Sequence, residues 1–358
     1  MTTEPLMTPP SASLSVPTRS TLVDIVKGFA ILLVVYGHTE QGLFHRNWWT
    51  GPSAVLSDTF VYSFHMPAFF FVAGLFLAGS LERRGPVKFV ADKCKTILYP
   101  YVFWAIVSVL IEPLIGQFKM NTTPFHWKQF LLLLVSGDDG WFLSALFACQ
   151  IVALVTWKLP AWLRLAIALV VAALMPNFGP TILYKTLQDF CFLAAGMLIG
   201  RMIFRLAELP VWAAAAGAIL FFVLQFALII DDGQNAQFGG REQWLAVVLG
   251  FTGTAGLILL ARTIDGTRLG DACAWIGRAS LAIYLLSAYP QGVFRELLLH
   301  VLHTHALLPQ LIVPSIAAAI LPAILWHRRE RWHLGWLFHW PGVETGRPVR
   351  TAQMHLQR

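Results

Sequence analysis

The sequence predicts an all-α, polytopic integral membrane protein, and three observations carry that prediction. First, of 358 residues 57% are hydrophobic and only 13% are charged, about half the charged fraction usual for soluble domains. Second, apolar runs near the 20 residues needed to cross a bilayer recur along most of the chain. Third, the basic residues behind the formal charge of +7 cluster at the ends of those runs, as membrane orientation requires. That placement sets aside nucleic acid as the partner of the excess charge.

Ten spans are expected, at 22–42, 59–79, 97–116, 141–158, 161–176, 184–204, 211–230, 243–261, 274–294 and 306–327. The fifth is the weakest, being short and carrying Arg164. Pro100, Pro113, Pro160, Pro176, Pro180, Pro210 and Pro309 fall near the expected ends, where a missing amide donor is tolerated. Residues 1–20 are rich in Pro, Ser and Thr and read as a flexible cytoplasmic tail with no signal peptide. Residues 21–330 form one transmembrane domain, and 331–358 a cytoplasmic C-terminal tail. Cys94, Cys149, Cys191 and Cys273 show no CxxC spacing, so neither a zinc site nor a disulfide framework is expected.

With the N-terminus inside, inner loops hold Arg83, Arg84, Lys88, Lys93, Lys95, Lys158, Arg201, Arg205, Arg262 and Arg268. Arg328, Arg329 and Arg331 follow the last span on that side. Outer loops hold only Arg46, Lys119, Lys128, Lys185 and Arg241. The asymmetry predicts that both termini are cytoplasmic.

The first span, "DIVKGFAILLVVYGH" over 24–38, carries Asp24, Lys27 and His38 in an otherwise apolar run. An intramembrane ionisable group points to function or to a partner. Eleven residues of helix bring Lys27 and His38 within roughly 20° of one face and separate them by about 16 Å. Lys27 then lies at the cytoplasmic edge and His38 toward the outer leaflet. Asp24 is placed to pair with Lys27 at i,i+3, either as an interfacial anchor or as part of a site. The second span opens with "FHMPAFFFVAGLF" over 64–76, which puts His65 at a depth similar to that of His38. A histidine near neutrality accepts a proton from a hydroxyl and returns it to a leaving group. Gly28, Gly37 and Gly74 permit close approach of helices or of a narrow substrate.

Together these stretches resemble membrane acyltransferase family 3, especially its branch of fucose 4-O-acetylase-like proteins. The basic residue, ten intervening residues and histidine of its first span correspond to Lys27 and His38, with lysine where arginine is common. The family's FHMP-x-FFF-x-SG matches Phe64, His65, Met66, Pro67, Phe69, Phe70, Phe71 and Gly74, with Ala73 in place of serine. Lys93 and Lys95 ahead of "LYPY", and "GWFLSALF" over 140–147, resemble the segments before the third span and at the entry to the fourth. "WIGRASLAIYLLSAYP" over 275–290 resembles a late segment through Gly277, Ser280, Ile283, Tyr284 and Leu285, with Ser287 at the usual histidine.

The resemblance, over about 20–330, implies a transferase in the inner (plasma) membrane. It would move an acyl group, usually acetyl, from cytoplasmic acyl-CoA to a sugar hydroxyl of an envelope or exported glycan. Lys27 would hold the donor, oriented by Asp24, with Lys93 and Lys95 as further donor-side cations or simply positive-inside residues. His38 would act as general base or as an acyl carrier, and His65 would orient it or stabilise the oxyanion. Trp141, Phe142, Asp138 and Asp139 lie at the outer mouth, where they would contact a sugar; the two aromatics equally suit an interfacial belt. "HVLHTH", with His300, His303 and His305, lacks a paired carboxylate, and no metal is expected there. The rival class is a transporter of lipid-linked sugars or small solutes. It calls for paired polar groups on several central helices or inverted repeats, whereas here they concentrate on the first two spans.

Overall fold

The computed structural model describes residues 21–115, 140–177, 179–200, 202–232 and 243–342. Among them the secondary structure is helical throughout, with no strand. The helices are α1 (Thr21–His45), α2 (Pro52–Tyr62), α3 (His65–Lys93), α4 (Tyr99–Ile115), α5 (Trp141–Val155), α6 (Ala161–Leu174) and α7 (Thr181–Ile199). There follow α8 (Val211–Asp232), α9 (Gln243–Ile264), α10 (Arg268–Arg278), α11 (Ser280–Leu286), α12 (Ala288–His300) and α13 (Leu307–Arg328).

A multi-pass membrane protein follows from these elements. Six helical stretches are long and apolar enough to cross: Thr21–His45, Pro52–Ile111, Thr181–Ile199, Val211–Ile230, Gln243–Ile264 and Leu307–Arg328. The pair α10 and α11, bent by 58°, makes a seventh if it counts as one broken span. The difference from the ten expected spans has physical causes. With 15 and 14 residues, α5 and α6 reach only about 22 and 21 Å, short of a hydrocarbon core of about 30 Å. The expected span 59–79 and most of 97–116 fall inside the single stretch Pro52–Ile111, which kinks at Gly85 (φ 71°, ψ 166°) ahead of Pro86. The expected span 274–294 is divided among α10, α11 and α12.

The expected span 59–79 is also interrupted between Tyr62 and His65. A helix running through this point would need an amide hydrogen on Pro67 for the Ser63 carbonyl, and proline has none. Phe64 therefore leaves helical geometry (φ −140°, ψ −16°) and α3 restarts at His65, with Pro67 in its first turn, where proline is tolerated. Ser63 helps to end α2 by donating its hydroxyl to the Phe60 carbonyl at 2.8 Å.

Two glycine seams set the helix spacing. Gly74 of α3 and Gly196 of α7 face each other's backbones, so a Cβ on Gly74 would run into the Leu193 carbonyl and one on Gly196 into that of Phe71. Gly28 of α1 meets the Cys273 carbonyl, and Gly277 of α10 meets the Asp24 carbonyl. Such small-residue contacts bring backbones together without the bulk of side chains.

At the opposite end of α3 a π-helical turn, Cys94–Leu98, leads into α4, and the Tyr99 N–H bonds to the Cys94 carbonyl. The Lys95 carbonyl then has no helical donor, because the next amide along the turn belongs to Pro100. The Trp340 N–H takes its place at 3.0 Å. Residues 331–340, expected as the beginning of a tail, thus pack onto α4. Tyr99 donates to the Trp336 carbonyl at 3.0 Å, Trp104 donates to the Leu337 carbonyl at 2.9 Å, and Phe338 is 1% exposed. Packed aromatic residues hold this segment down.

Candidate active site

The histidine half of the site grows from the helix break at 63–64. Held in the first turn of α3, His65 is 1% exposed, and its Nδ1 lies 2.5 Å from the Val61 carbonyl. A carbonyl only accepts, so Nδ1 carries the hydrogen and the neutral ring keeps Nε2 as its basic nitrogen. The Tyr62 ring packs edge-on to His65, with centroids 4.9 Å apart. Across from Tyr62 stands Gly37 of α1, where a Cβ would come within 2.8 Å of the tyrosine ring. A bare backbone at position 37 is what lets α1 approach, and the next residue is His38. The His38 side chain is exposed, and His65 lies within electrostatic range of it.

Lys185 of α7 joins this group and was missed as a site residue. It lies within electrostatic range of both His65 and the buried Asp189. Its ammonium stands 4.7 Å from the Trp141 ring centroid and 5.7 Å from that of Tyr184, as cation–π contacts require. Trp141, expected at the sugar-facing mouth, is thereby connected to His65 through Lys185. Asp138 and Asp139, expected beside it, lie outside the described residues. Glu40, also missed, is 1% exposed and sits beside Ser57, Asp58 and Tyr62. A charge in an apolar run was the available signal for both Glu40 and Lys185.

The basic half begins in the first turn of α1. Lys27 Nζ lies 3.3 Å from Asp24 Oδ1, the i,i+3 pair expected. Arg278 brings Nη1 to 4.0 Å from Asp24 Oδ2, an ion pair reaching across 254 positions that spacing does not reveal. The Asp24 side chain is 8% exposed, against 27% for Lys27 and 32% for Arg278. Lys93 stands 5.3 Å over the Phe89 ring, and Lys95 lies in the π-helical turn. Their observed contacts are with α3 and the C-terminal segment.

Away from both halves, His300 does find a carboxylate, contrary to expectation: Glu296, one turn earlier, at 3.1 Å. The same Glu296 is held by Arg46 at 2.8 Å, which makes this an ion-pair cluster at the end of α12.

A buried histidine near an exposed one, an ion-paired basic end and a helical membrane scaffold suit a membrane-embedded transferase. A family model described as an acyltransferase domain matches residues 21–328, and the chain belongs to this acyltransferase family 3. It is also 28% identical over 320 residues to the nodulation protein NolL of Sinorhizobium fredii (strain NBRC 101917 / NGR234), an alignment covering 80% of this chain and 81% of that protein.

Proposed function

We propose that the protein transfers an acyl group, acetyl by preference, from cytoplasmic acyl-CoA to a sugar hydroxyl of an envelope or exported glycan. Its place is the inner (plasma) membrane, with both termini cytoplasmic and the loop around 43–58 external. One observation supports this reading above the others. Lys27 and His38 stand on a single unbroken helix, about 16 Å apart along its axis, with a second histidine beside the deeper one. Phosphates at one end of a long pantetheine arm suit the basic end. The thioester at the other end of that arm reaches toward the histidines.

In the reaction, His38 takes the proton of the acceptor hydroxyl as its oxygen attacks the thioester carbonyl carbon. The new C–O ester bond forms, the C–S bond breaks, and the thiolate of CoA leaves with the electron pair. The proton on His38 then passes to that sulfur or to water. His65, with its Nδ1–H held by Val61, orients His38 or stabilises the oxyanion. Asp24 orients Lys27, with Lys93 and Lys95 as further donor-side cations, and Trp141, Asp138 and Asp139 receive the sugar.

The test is glycan O-acylation in cells expressing wild-type or His38→Ala protein, alongside CoA binding by the purified forms. Lost acylation with retained CoA binding is expected; normal acylation by His38→Ala would reject the mechanism. Cysteine placed at position 88 should be labelled from the cytoplasmic side, and labelling from outside alone would reverse the topology.

A further inference from the structure

The donor assignment above gives Lys27 one role and leaves Arg278 without any, although both point a cation at the same carboxylate. The placement of Arg278 follows from the residue before it. At Gly277 the backbone of α10 lies against the Asp24 carbonyl and the Gly28 amide of α1, so closely that no Cβ fits. Gly28 does the same from the other side against the Cys273 carbonyl. Arg278 is then the last residue of α10 before the 58° bend into α11, a bend made at Ala279, which is 0% exposed. The seam fixes where the arginine emerges, and the bend keeps the following helix from covering it.

Asp24 engages both Lys27, at 3.3 Å, and Arg278, at 4.0 Å. The Arg278 contact is at the outer limit of an ion pair, and its side chain is 32% exposed. Its guanidinium therefore keeps donors for another acceptor. Guanidinium offers a planar fork that matches phosphate oxygens, and ammonium adds a compact point charge.

We infer that Arg278 is a second phosphate-binding residue of the donor site, brought beside Lys27 by the Gly28–Gly277 seam and held there by Asp24 until a phosphate arrives. The inference rests on the acyl-CoA reading and names the residue that grips the phosphate end of that donor. A phosphate at a membrane surface has two sources, a soluble nucleotide thioester or an anionic lipid headgroup. The proposal assigns the former.

The experiment uses full-length protein in nanodiscs of phosphatidylcholine, with CoA binding measured by calorimetry for wild type, Arg278→Ala and Arg278→Lys. Loss of a charge-assisted contact should weaken CoA binding about 10-fold in Arg278→Ala, with Arg278→Lys in between. Acyl transfer from acetyl-pantetheine, which has the thioester but no phosphate, should proceed equally in wild type and Arg278→Ala. Equal CoA affinity in wild type and Arg278→Ala would overturn the inference while leaving the acyl-CoA reading intact. An equal loss with acetyl-pantetheine would also overturn it, by showing that the arginine serves only the fold. So would an Arg278→Ala defect confined to thermal stabilisation by phosphatidylglycerol. Failure of the wild-type protein to bind CoA at all would remove the acyl-CoA reading, and this inference with it.

Discussion

The two ends of α1 handle polar groups in opposite ways. At its start, Asp24 is clasped by two partly exposed cations from different helices. At positions 37–38 the neighbours are a glycine, an aromatic ring and a second histidine whose Nδ1 is committed to a backbone carbonyl. The first arrangement is built from full charges that a phosphate can address, and the second from groups that trade a proton without holding a permanent charge. In the proposed mechanism, one helix separates binding from chemistry along its length. Binding needs fixed opposite charge, whereas acid–base work needs a group that changes its charge during the reaction.

If that division holds, substitutions at the two ends will fail differently. The largest effect is expected at the outer end: His38→Ala should lower glycan O-acylation at least 10²-fold, the usual minimum contribution of general-base help, with CoA affinity unchanged. A parallel fall in CoA affinity would erase the division. His65→Ala should cost less, about 10-fold in transfer rate, since its role is to orient or to assist; this is within the range of a lost charge-assisted contact. At the inner end, Lys27→Ala should raise the apparent KM for acyl-CoA about 10-fold with little change in kcat. Lys27→Arg should recover part of the loss because the charge is kept. A kcat defect with unchanged KM would move Lys27 into the chemistry. The smallest effect is expected for Lys185→Met, which removes a cation from the Trp141 ring and from the range of His65. A cation–π contact is worth about 0.5–1 kcal/mol at exposed sites, so acceptor KM should shift by a few-fold and donor KM should not move. A donor-side shift would show that the outer cluster reaches the CoA site.

The same two regions show what the sequence discloses and what it conceals. Within α1 almost everything was legible, because helical geometry converts spacing directly into face and depth: Asp24, Lys27 and His38 needed only arithmetic. The all-helical membrane class and the family were legible for the same local reasons, in apolar runs and short motifs. Contacts between distant segments were not. Arg278 stands in a stretch that drew attention for its Gly, Ser and Tyr, but its partner Asp24 lies on the first helix. Lys185 reads as one of a few outer-loop cations until α7 turns it onto Trp141. The break ahead of His65 was written in Pro67, yet a run of apolar residues concealed it, since hydropathy records burial and says nothing of backbone donors.

The π-helical turn at Cys94–Leu98 has a consequence for how the protein can be cut and joined. Its unpaired Lys95 carbonyl is closed by the amide of Trp340, more than two hundred positions away. A chain ended at residue 330, where the apolar sequence stops, would strip that stitch. It would also leave the Tyr99 hydroxyl and the Trp104 indole without the backbone oxygens they now bond. The packed body therefore reaches to Trp340. A fluorescent or affinity partner grafted beyond that tryptophan leaves the stitch in place, whereas one grafted before Trp336 would unpick the turn that presents Lys95.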